Sequence, residues 1–211
     1  MREYERHKDE GGSSARTQLF DAALLTWLTV VPPDRIGVAR KLQLGITLKS
    51  SAAAGGFQLD LATPDAHKTA AIFGPSSTAV PAAACALLTA WLAKAGLDAA
   101  AKPYVFVLGN PARGGGTDHA APLGAPQWTK VVQAVLKRQA GVAFAPKDLR
   151  SSFITFLMSD ENSDEVVKKA VAHAMRHSTA QQASPAYDKE RAERTWAAAV
   201  QVAGTYAARF K

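Results

Sequence analysis

The chain has 211 residues, of which 47% are hydrophobic, and it carries a formal net charge of +7 with an isoelectric point near 9.6. This length and composition are typical of one globular domain. No apolar run reaches the roughly 18 residues of a membrane span, and the charged N-terminus lacks the apolar stretch of a secretory signal. The single cysteine, Cys85, excludes an internal disulfide and fits a reducing compartment. The positive charge favours an anionic partner, of which nucleic acid is the commonest.

The N-terminal part of the chain predicts two helices separated by a pair of prolines. Residues 1–15 are polar and predict a disordered leader. Apolar residues recur at helical spacing over residues 17–30. The next helix is expected to begin after the prolines, with Asp34 as its N-cap. Arg35 then falls in the first turn, where the helix dipole adds to its charge and suits anion binding, although such an arginine is by itself more often simply solvated.

A small sheet is predicted next. Alternating apolar residues at 44–48 and 57–61 indicate two strands, and a turn cluster follows at 63–66. The chain then reads His67-Lys68-Thr69, with Phe73-Gly74-Pro75 shortly after. Taken alone, Lys68 is typical of an exposed turn lysine.

The middle of the chain predicts helices at 80–95, closed by Gly96, and at 127–140. Cys85 lies in the first of these and is interpreted as a buried core thiol. Residues 104–108 are apolar and predict either an edge strand or extended packing. The Gly- and Pro-rich residues 110–126 predict a surface loop with a solvated His119.

Residues 147–187 contain the side chains that suggest chemistry. Pro146 opens a predicted helix on which Lys147 and Arg150 are three apart and share a face. Phe153, Phe156 and Leu157 follow as candidate core anchors.

The next helix can be capped by Ser163, with Val166 and Val167 on its inner side, and it ends near His177. Tyr187 comes ten residues after this histidine, in the predicted first turn of another helix.

Two cations, a histidine and a phenol suit attack on a phosphodiester. The cations hold the phosphate, the imidazole donates to a non-bridging oxygen and the phenol attacks. His173 and His177 have the spacing of metal ligands, but no glutamate follows His173 and no third ligand is evident, so a metal site is not expected. A lone tyrosine such as Tyr187 is more often a packed aromatic, and the argument depends on the whole set.

The set resembles the catalytic domain of the tyrosine recombinases, the phage-integrase-like family, over roughly residues 17–190. The family pattern in the second half is His/Lys-x-x-Arg, then a histidine or tryptophan, then a tyrosine about ten residues on. The matching residues, in family order, are Arg35, Lys68, Lys147, Arg150, His177 and Tyr187.

Some details of the pattern differ or leave a choice. Arg40 is the competing candidate for the first arginine. Val38 stands where the family has an acidic residue, and Arg176 stands where a glycine usually precedes the histidine. The segment around Lys68 is similar to the eukaryotic, Crypton-like branch.

The resemblance implies a mainly helical α+β fold with a small three-stranded antiparallel sheet near residues 44–73. It implies a catalytic domain at 16–190 and a C-terminal helix at 191–211, without the N-terminal core-binding domain of the family. The expected partners are double-stranded DNA and further copies of the chain, as a tetramer on DNA, with no membrane, metal or cofactor. The expected location is the nucleus or another DNA-containing compartment, or the cytoplasm if the chain is prokaryotic or viral.

The resemblance also implies a mechanism of DNA recombination and integration, as in mobile elements. Tyr187 attacks the phosphate and leaves a 3′-phosphotyrosyl link with a free 5′-hydroxyl. Arg35 and Arg150 clamp the non-bridging oxygens, and His177 donates a further hydrogen bond. Lys68 protonates the leaving oxygen. Lys147 assists proton transfer from the tyrosine or binds the phosphate.

Two alternatives share these residues. One is a catalytically inactive DNA-binding relic of the same fold. The other is a type IB topoisomerase-like relaxase that acts as a monomer and needs no paired sites.

Overall fold

The computed structural model describes residues 11–31, 36–52, 55–62, 75–107, 119–159 and 164–175. This part of the chain is mainly helical with one small antiparallel sheet, as predicted at the level of fold class. The chain divides into two compact units, Met1–Pro146 and Lys147–Lys211, which are described separately. In chain order the elements are α1 (Gly11–Val30), α2 (Ile36–Arg40), β1 (Leu48–Ser51), β2 (Gly56–Asp60), β3 (Ser77–Ala79), α3 (Ala82–Ala95), a short 3-10 helix (Ala99–Ala101), α4 (Ala125–Ala140), α5 (Pro146–Ser159) and α6 (Glu165–Ala174).

The first unit has an aromatic core centred on Phe106. Its ring lies 6.3 Å from Phe20 and 6.0 Å from Trp27 of α1, and 6.2 Å from Trp128 of α4. Phe20 also meets Trp91 of α3 edge to face at 5.1 Å. Such edge and tilted contacts add to the stability gained by burying the rings. Phe106, which belongs to no helix or strand, therefore joins α1 to α4, and Phe20 of α1 joins this core to α3.

The segment around Phe106 is extended packing rather than an edge strand. Tyr104 forms an isolated bridge with Gln43, and Val105 and Val107 are buried without joining the sheet. The indole Nε1 of Trp91 donates to the carbonyl of Val105 at 2.9 Å. The second of the two sequence alternatives is thus the one observed.

The sheet has the order β1-β2-β3, with both pairs antiparallel. Its second strand was predicted within one residue. The strand predicted at 44–48 is wrong: the carbonyl of Gln43 accepts from the N–H groups of Ile46, Thr47 and Leu48, and Gly45 has a positive φ of 78°. These residues form a turn, and the strand begins only at Leu48. The third strand, β3, lies beyond the predicted limit of residue 73.

Helix ends in the first unit follow the expected chemistry. Gly96 ends α3 with a φ of 68°, and the N–H of Leu97 donates to the carbonyl of Leu92 at 2.9 Å. Gly141 ends α4 in the same left-handed conformation. Glycine adopts this conformation without a Cβ clash. At the N-terminal side, α1 begins at Gly11, before the predicted start at Thr17.

Helix α5 begins at Pro146 as predicted, and all its later residues belong to the second unit. Ile154 is fully buried and Leu157 is 6% exposed, whereas Phe156 is 68% exposed. The prediction that Phe156 anchors the helix is therefore wrong. The buried stripe instead runs through positions 150, 154 and 157, which share one side of a helix.

The start of α6 also differs from the prediction. The Asp164 carboxylate accepts from the N–H of Val167 at 2.8 Å and caps the helix; Ser163, the predicted cap, lies outside the described residues. Val166 and Val167 are 73% and 43% exposed, not internal. Among the described side chains of this region, Ala172 of α6 and Met175, which directly follows the helix, are buried. None of the described helices is long and apolar enough to cross a membrane.

Candidate functional site

Two of the six predicted site residues, Lys147 and Arg150, lie in the described part of the chain. Arg35, Lys68, His177 and Tyr187 lie outside it. Described elements nevertheless flank these positions. Arg35 directly precedes α2, and Lys68 belongs to the segment that connects the paired strands β2 and β3.

Arg150 is the buried member of the candidate site. Its side of α5 also carries Ile154 and Leu157, and Arg150 itself is 5% exposed. Its Nη2 donates to the main-chain carbonyl of Met175 at 2.7 Å. Met175 directly follows the last residue of α6, so the guanidinium lies at the negative end of that helix dipole. The carbonyls at a helix end lack partners within the helix, and a cationic donor satisfies one of them here.

Lys147 has a different environment. It lies in the first turn of α5 and is exposed, and its carbonyl accepts from the Ser151 hydroxyl at 3.2 Å. The spacing of three residues predicts that Lys147 and Arg150 share one face of the helix, but Lys147 is exposed and Arg150 is buried. The Lys147 ammonium is solvated, where it could meet a phosphate, while Arg150 lies in the buried stripe.

The contact between Arg150 and Met175 ties one predicted site residue to a residue that closely precedes another in the sequence. His177 follows Met175 by two residues in the sequence. An arginine and a histidine predicted to bind the same phosphate are therefore connected through one hydrogen bond and two peptide units. The sequence offered no signal for this contact, because the acceptor is a main-chain carbonyl.

Arg40, the competing candidate for the first arginine, has a structural contact. Its Nη1 donates to the carbonyl of Leu123 at 2.5 Å, and the group is partly buried. This bond ties the end of α2 to the residues that lead into α4. The geometry favours a structural role for Arg40.

His119 is not solvated as predicted. It is 9% exposed, and its Nδ1 lies 2.6 Å from the carbonyl of Tyr104. The N–H of Tyr104 donates in turn to the carbonyl of His119 at 2.8 Å. The Gly- and Pro-rich sequence around His119 hides this pairing, because its partner comes from a distant segment.

Cys85 is a core thiol, as predicted. It is buried, and its Sγ accepts from the N–H of Phe57 at 3.4 Å and donates to the carbonyl of Val80 at 3.3 Å. The first contact joins α3 to β2, and the second joins it to the residue that follows β3. Among the described residues, no group of three or more His, Cys, Asp or Glu side chains is placed to hold a metal ion.

Among the described residues of the first unit, lysines and arginines outnumber carboxylates. Asp21 is buried and bonded to Arg138 at 2.7 Å. Asp60 pairs with Lys49 at 2.6 Å, and Asp98 accepts from a main-chain N–H at the start of the 3-10 helix. Several lysines are exposed and form no ion pair with these three carboxylates: Lys41, Lys94, Lys102, Lys130 and Lys137.

A scan of the sequence against models of known protein families finds no match. A search among curated proteins likewise finds no match to the chain. Interpretation of the site therefore depends on its residues, their order and their geometry.

Proposed function

We propose that this chain is the catalytic domain of a site-specific DNA recombinase or integrase, which cleaves and rejoins DNA through a 3′-phosphotyrosyl intermediate. The observation that carries the proposal is the contact between Arg150 and the Met175 carbonyl, which brings one predicted phosphate ligand to the chain segment that leads to another, His177. His177 itself lies outside the described residues and follows Met175 by two residues in the sequence.

The sheet gives further support. The proposed general acid, Lys68, lies in the connection between β2 and β3, which is where the resemblance expects a lysine on a hairpin of the small sheet. A lysine there can protonate the leaving 5′-oxygen when DNA lies against the sheet.

The proposed chemistry needs no external energy source. The Tyr187 hydroxyl attacks the phosphorus, the bond to the 5′-oxygen breaks, and the phosphate ester passes to the tyrosine. Arg35 and Arg150 offset the charge on the non-bridging oxygens. Lys147, which is solvated in the free chain, meets the phosphate or assists the proton transfer.

The charge distribution suits double-stranded DNA as the substrate. The exposed lysines of the first unit are not neutralised by the described carboxylates, and each phosphate contact releases counterions from DNA. DNA binding should therefore weaken steeply with salt. Assembly of several copies on DNA, as strand exchange between paired sites requires, is part of the proposal.

A suicide-substrate assay tests the chemistry. Nicked DNA from the sequence that flanks the gene is incubated with the wild type, Tyr187→Phe and Tyr104→Phe, and the products are separated on a denaturing gel. A covalent protein–DNA band is expected for the wild type and for Tyr104→Phe, and no band for Tyr187→Phe. Bands of equal intensity for all three proteins would exclude Tyr187 as the nucleophile.

One observation favours the second candidate, a DNA-binding relic without activity. Arg150 is 5% exposed, and an arginine so buried contacts no ligand until the surroundings change. DNA binding in a gel shift without a covalent band would support this candidate. Relaxation of supercoiled plasmid by monomers, without paired sites, would instead support a type IB topoisomerase-like relaxase.

A further inference from the structure

We infer that Lys102 is a DNA-backbone contact of the first unit, a lysine held in a strained main-chain conformation because its side chain binds a phosphate. The identity of the partner rests on the proposed function; the strain at Lys102 does not. The Lys102 side chain is exposed and forms no ion pair with a described carboxylate. The nearest carboxylate in the sequence, Asp98, instead accepts from the N–H of Ala100 at 3.0 Å.

The main chain of Lys102 is strained in two ways. Its φ of 49° and ψ of 49° lie in the left-handed region, and in the described part of the chain it is the only residue other than glycine with a positive φ. A Cβ makes this conformation costly. Lys102 also precedes Pro103, and a proline ring favours extended backbone, with a ψ of about 120–160°, for the residue before it.

Other helix ends in the same unit use glycine for this conformation. Gly96 ends α3 with a φ of 68°, and Gly141 ends α4 with a φ of 72°. Lys102 has the same place after the short 3-10 helix, where glycine would relieve the strain. A cation near a helix end gains little from a helix of three residues, because the helix dipole is the sum of many aligned peptide units. The fold alone therefore does not account for a lysine here.

The surrounding contacts hold Lys102 in this conformation. Its N–H donates to the Ala99 carbonyl at 3.1 Å, and its own carbonyl accepts from Gln43 Nε2 at 2.7 Å. The carbonyl of the next residue, Pro103, accepts from the N–H of Leu44 at 2.9 Å. Strained residues that their surroundings fix in this way are concentrated at binding and catalytic sites. The contacts also fix the direction in which the Lys102 side chain leaves the surface.

The residues around Lys102 suit close approach of a DNA backbone. Residues 99–101 are exposed alanines, and Gly45 is exposed beside them. A Cβ added to Gly45 would lie 3.0 Å from the Ala99 carbonyl oxygen. These small residues leave the ammonium accessible, and none of them carries a charge. A lysine binds a phosphate as a point charge and carries no sequence information in doing so.

Three substitutions separate the charge of Lys102 from its backbone strain. Lys102→Ala removes the ammonium and keeps a Cβ in the left-handed conformation, whereas Lys102→Gly removes both. Lys102→Arg keeps the charge and the Cβ. Lys94→Gln is the matched control, because it removes one charge from an exposed lysine of α3, where the backbone is helical.

DNA affinity and thermal unfolding are measured on the full chain, with a fluorescent double-stranded oligonucleotide titrated at several salt concentrations. We expect Lys102→Ala and Lys102→Gly to weaken binding several-fold and to reduce the slope of log affinity against log salt by about 1. Lys102→Arg should bind like the wild type, and Lys94→Gln should change the slope by clearly less. Only Lys102→Gly should raise the melting temperature, by about 2–4 °C.

Several results would overturn the inference. Wild-type affinity in folded Lys102→Ala would show that the contact does not form. Equal losses of affinity in Lys102→Ala and Lys94→Gln would show that Lys102 acts like any exposed charge. A lower melting temperature for Lys102→Gly would show that the fold itself favours lysine. A wild type that binds polyglutamate but not DNA would identify an acidic protein as the partner instead.

This inference and the proposed function fail in different ways. A Tyr187-dependent covalent band with unchanged affinity in Lys102→Ala would reject the contact and leave the recombinase proposal standing. Weaker binding by Lys102→Ala without a covalent band in any condition would leave the contact standing and reject the recombinase proposal.

Discussion

Asp21 is a fully engaged buried carboxylate. It is 1% exposed, and it accepts from Arg138 through Nε at 3.0 Å and Nη2 at 2.7 Å, and from Gln139 at 3.1 Å. The hydrogen bond to Asp21 raises the pKa of Arg138 above its usual value. The pair links α1 to α4.

We expect Arg138→Ala to lower the free energy of unfolding by about 2–3 kcal/mol, because it leaves a buried carboxylate with too few donors. Lys137→Ala, at the neighbouring exposed lysine, should change it by less than about 0.5 kcal/mol. Urea denaturation measures both. Equal effects of the two substitutions would show that the ion pair of Asp21 with Arg138 contributes nothing specific. Combining Asp21→Asn with Arg138→Ala should restore part of the free energy of unfolding that Arg138→Ala loses.

Asp60 forms a more exposed ion pair, with Lys49, and its contribution to stability depends on pH. The hydrogen bond from Lys49, followed by that from the N–H of Ala62, lowers the pKa of Asp60 below 3.8. A carboxylate with a lowered folded-state pKa stabilises the fold above its unfolded-state pKa, and this contribution is lost as pH falls through the lower folded-state value. Because Lys49 is half exposed, the contribution should stay under about 1 kcal/mol.

The difference in unfolding free energy between the wild type and Asp60→Asn should therefore be larger at neutral pH than at the acid end of the stability range, below about pH 4. Urea titrations across this range measure it. A difference that stays constant with pH would show that the carboxylate is not stabilised in the fold.

At the level of single residues, spacing located Lys147 and Arg150 on one helix but could not assign their burial. Four apolar residues between 153 and 157 fit more than one buried face, and tertiary packing selected the face that contains Ile154. Hydrogen bonds to main-chain carbonyls, such as those made by Arg150 and His119, involve acceptors that every residue has. No sequence pattern marks them.

Among the elements, α3 and the sheet meet most closely at Gly56. A Cβ added to Gly56 would lie 2.7 Å from the Cys85 Sγ, well inside contact distance. The same Sγ accepts the N–H of Phe57. Gly56 is thus needed for close approach between β2 and α3.

We expect Gly56→Ala to destabilise the fold by about 1–3 kcal/mol through overpacking. Adding Cys85→Ala should restore part of this loss, since the Cys85 Cβ would still lie 3.0 Å from the new methyl group. Gly37→Ala in α2 is the control: no atom lies within 4 Å of the added Cβ, and alanine favours a helix by up to about 1 kcal/mol. Thermal unfolding compares the variants, and equal melting temperatures for the two alanine variants would contradict the close approach.

Helices were predictable where apolar periodicity and end signals agree, as in α3 with Gly96 and in α5 with Pro146. The strands of the sheet were harder to predict from the sequence than the helices. Residues 44–48 alternate like a strand, but Gly45 allows a turn that the Gln43 carbonyl closes. The third strand, β3, is three exposed small residues, Ser-Thr-Ala, which have no alternation to detect.

For the whole molecule, the exposed connection between α4 and α5 separates the two units. Residues 141–144 are all exposed, and Phe144 is 48% exposed. We expect brief chymotrypsin treatment to cut after Phe144, because exposed connections are the preferred sites of proteolysis. Phe144→Ser should remove that cut in mass spectra of the fragments and leave other cuts unchanged. Resistance of Phe144 in the wild type would contradict the expectation.

The six site residues occur in both units. Arg35 and Lys68 precede the boundary at Pro146, and the other four follow it: Lys147, Arg150, His177 and Tyr187. The sequence could suggest this set because it shows the type and the order of the residues along the chain. The distances among these side chains depend on tertiary packing, which no local sequence pattern specifies. The contact of Arg150 with Met175 is the part of that geometry that the structure adds.

The aromatic core around Phe106 has a spectroscopic consequence. Three of the four tryptophans, Trp27, Trp91 and Trp128, are buried in the first unit, while Trp196 belongs to the second. Intrinsic fluorescence of this protein is therefore dominated by one cluster, whose emission shifts to longer wavelength when water reaches it. Replacing Trp196 with phenylalanine would leave an optical signal that follows the first unit alone, so that ligand-induced changes in that unit could be recorded by themselves.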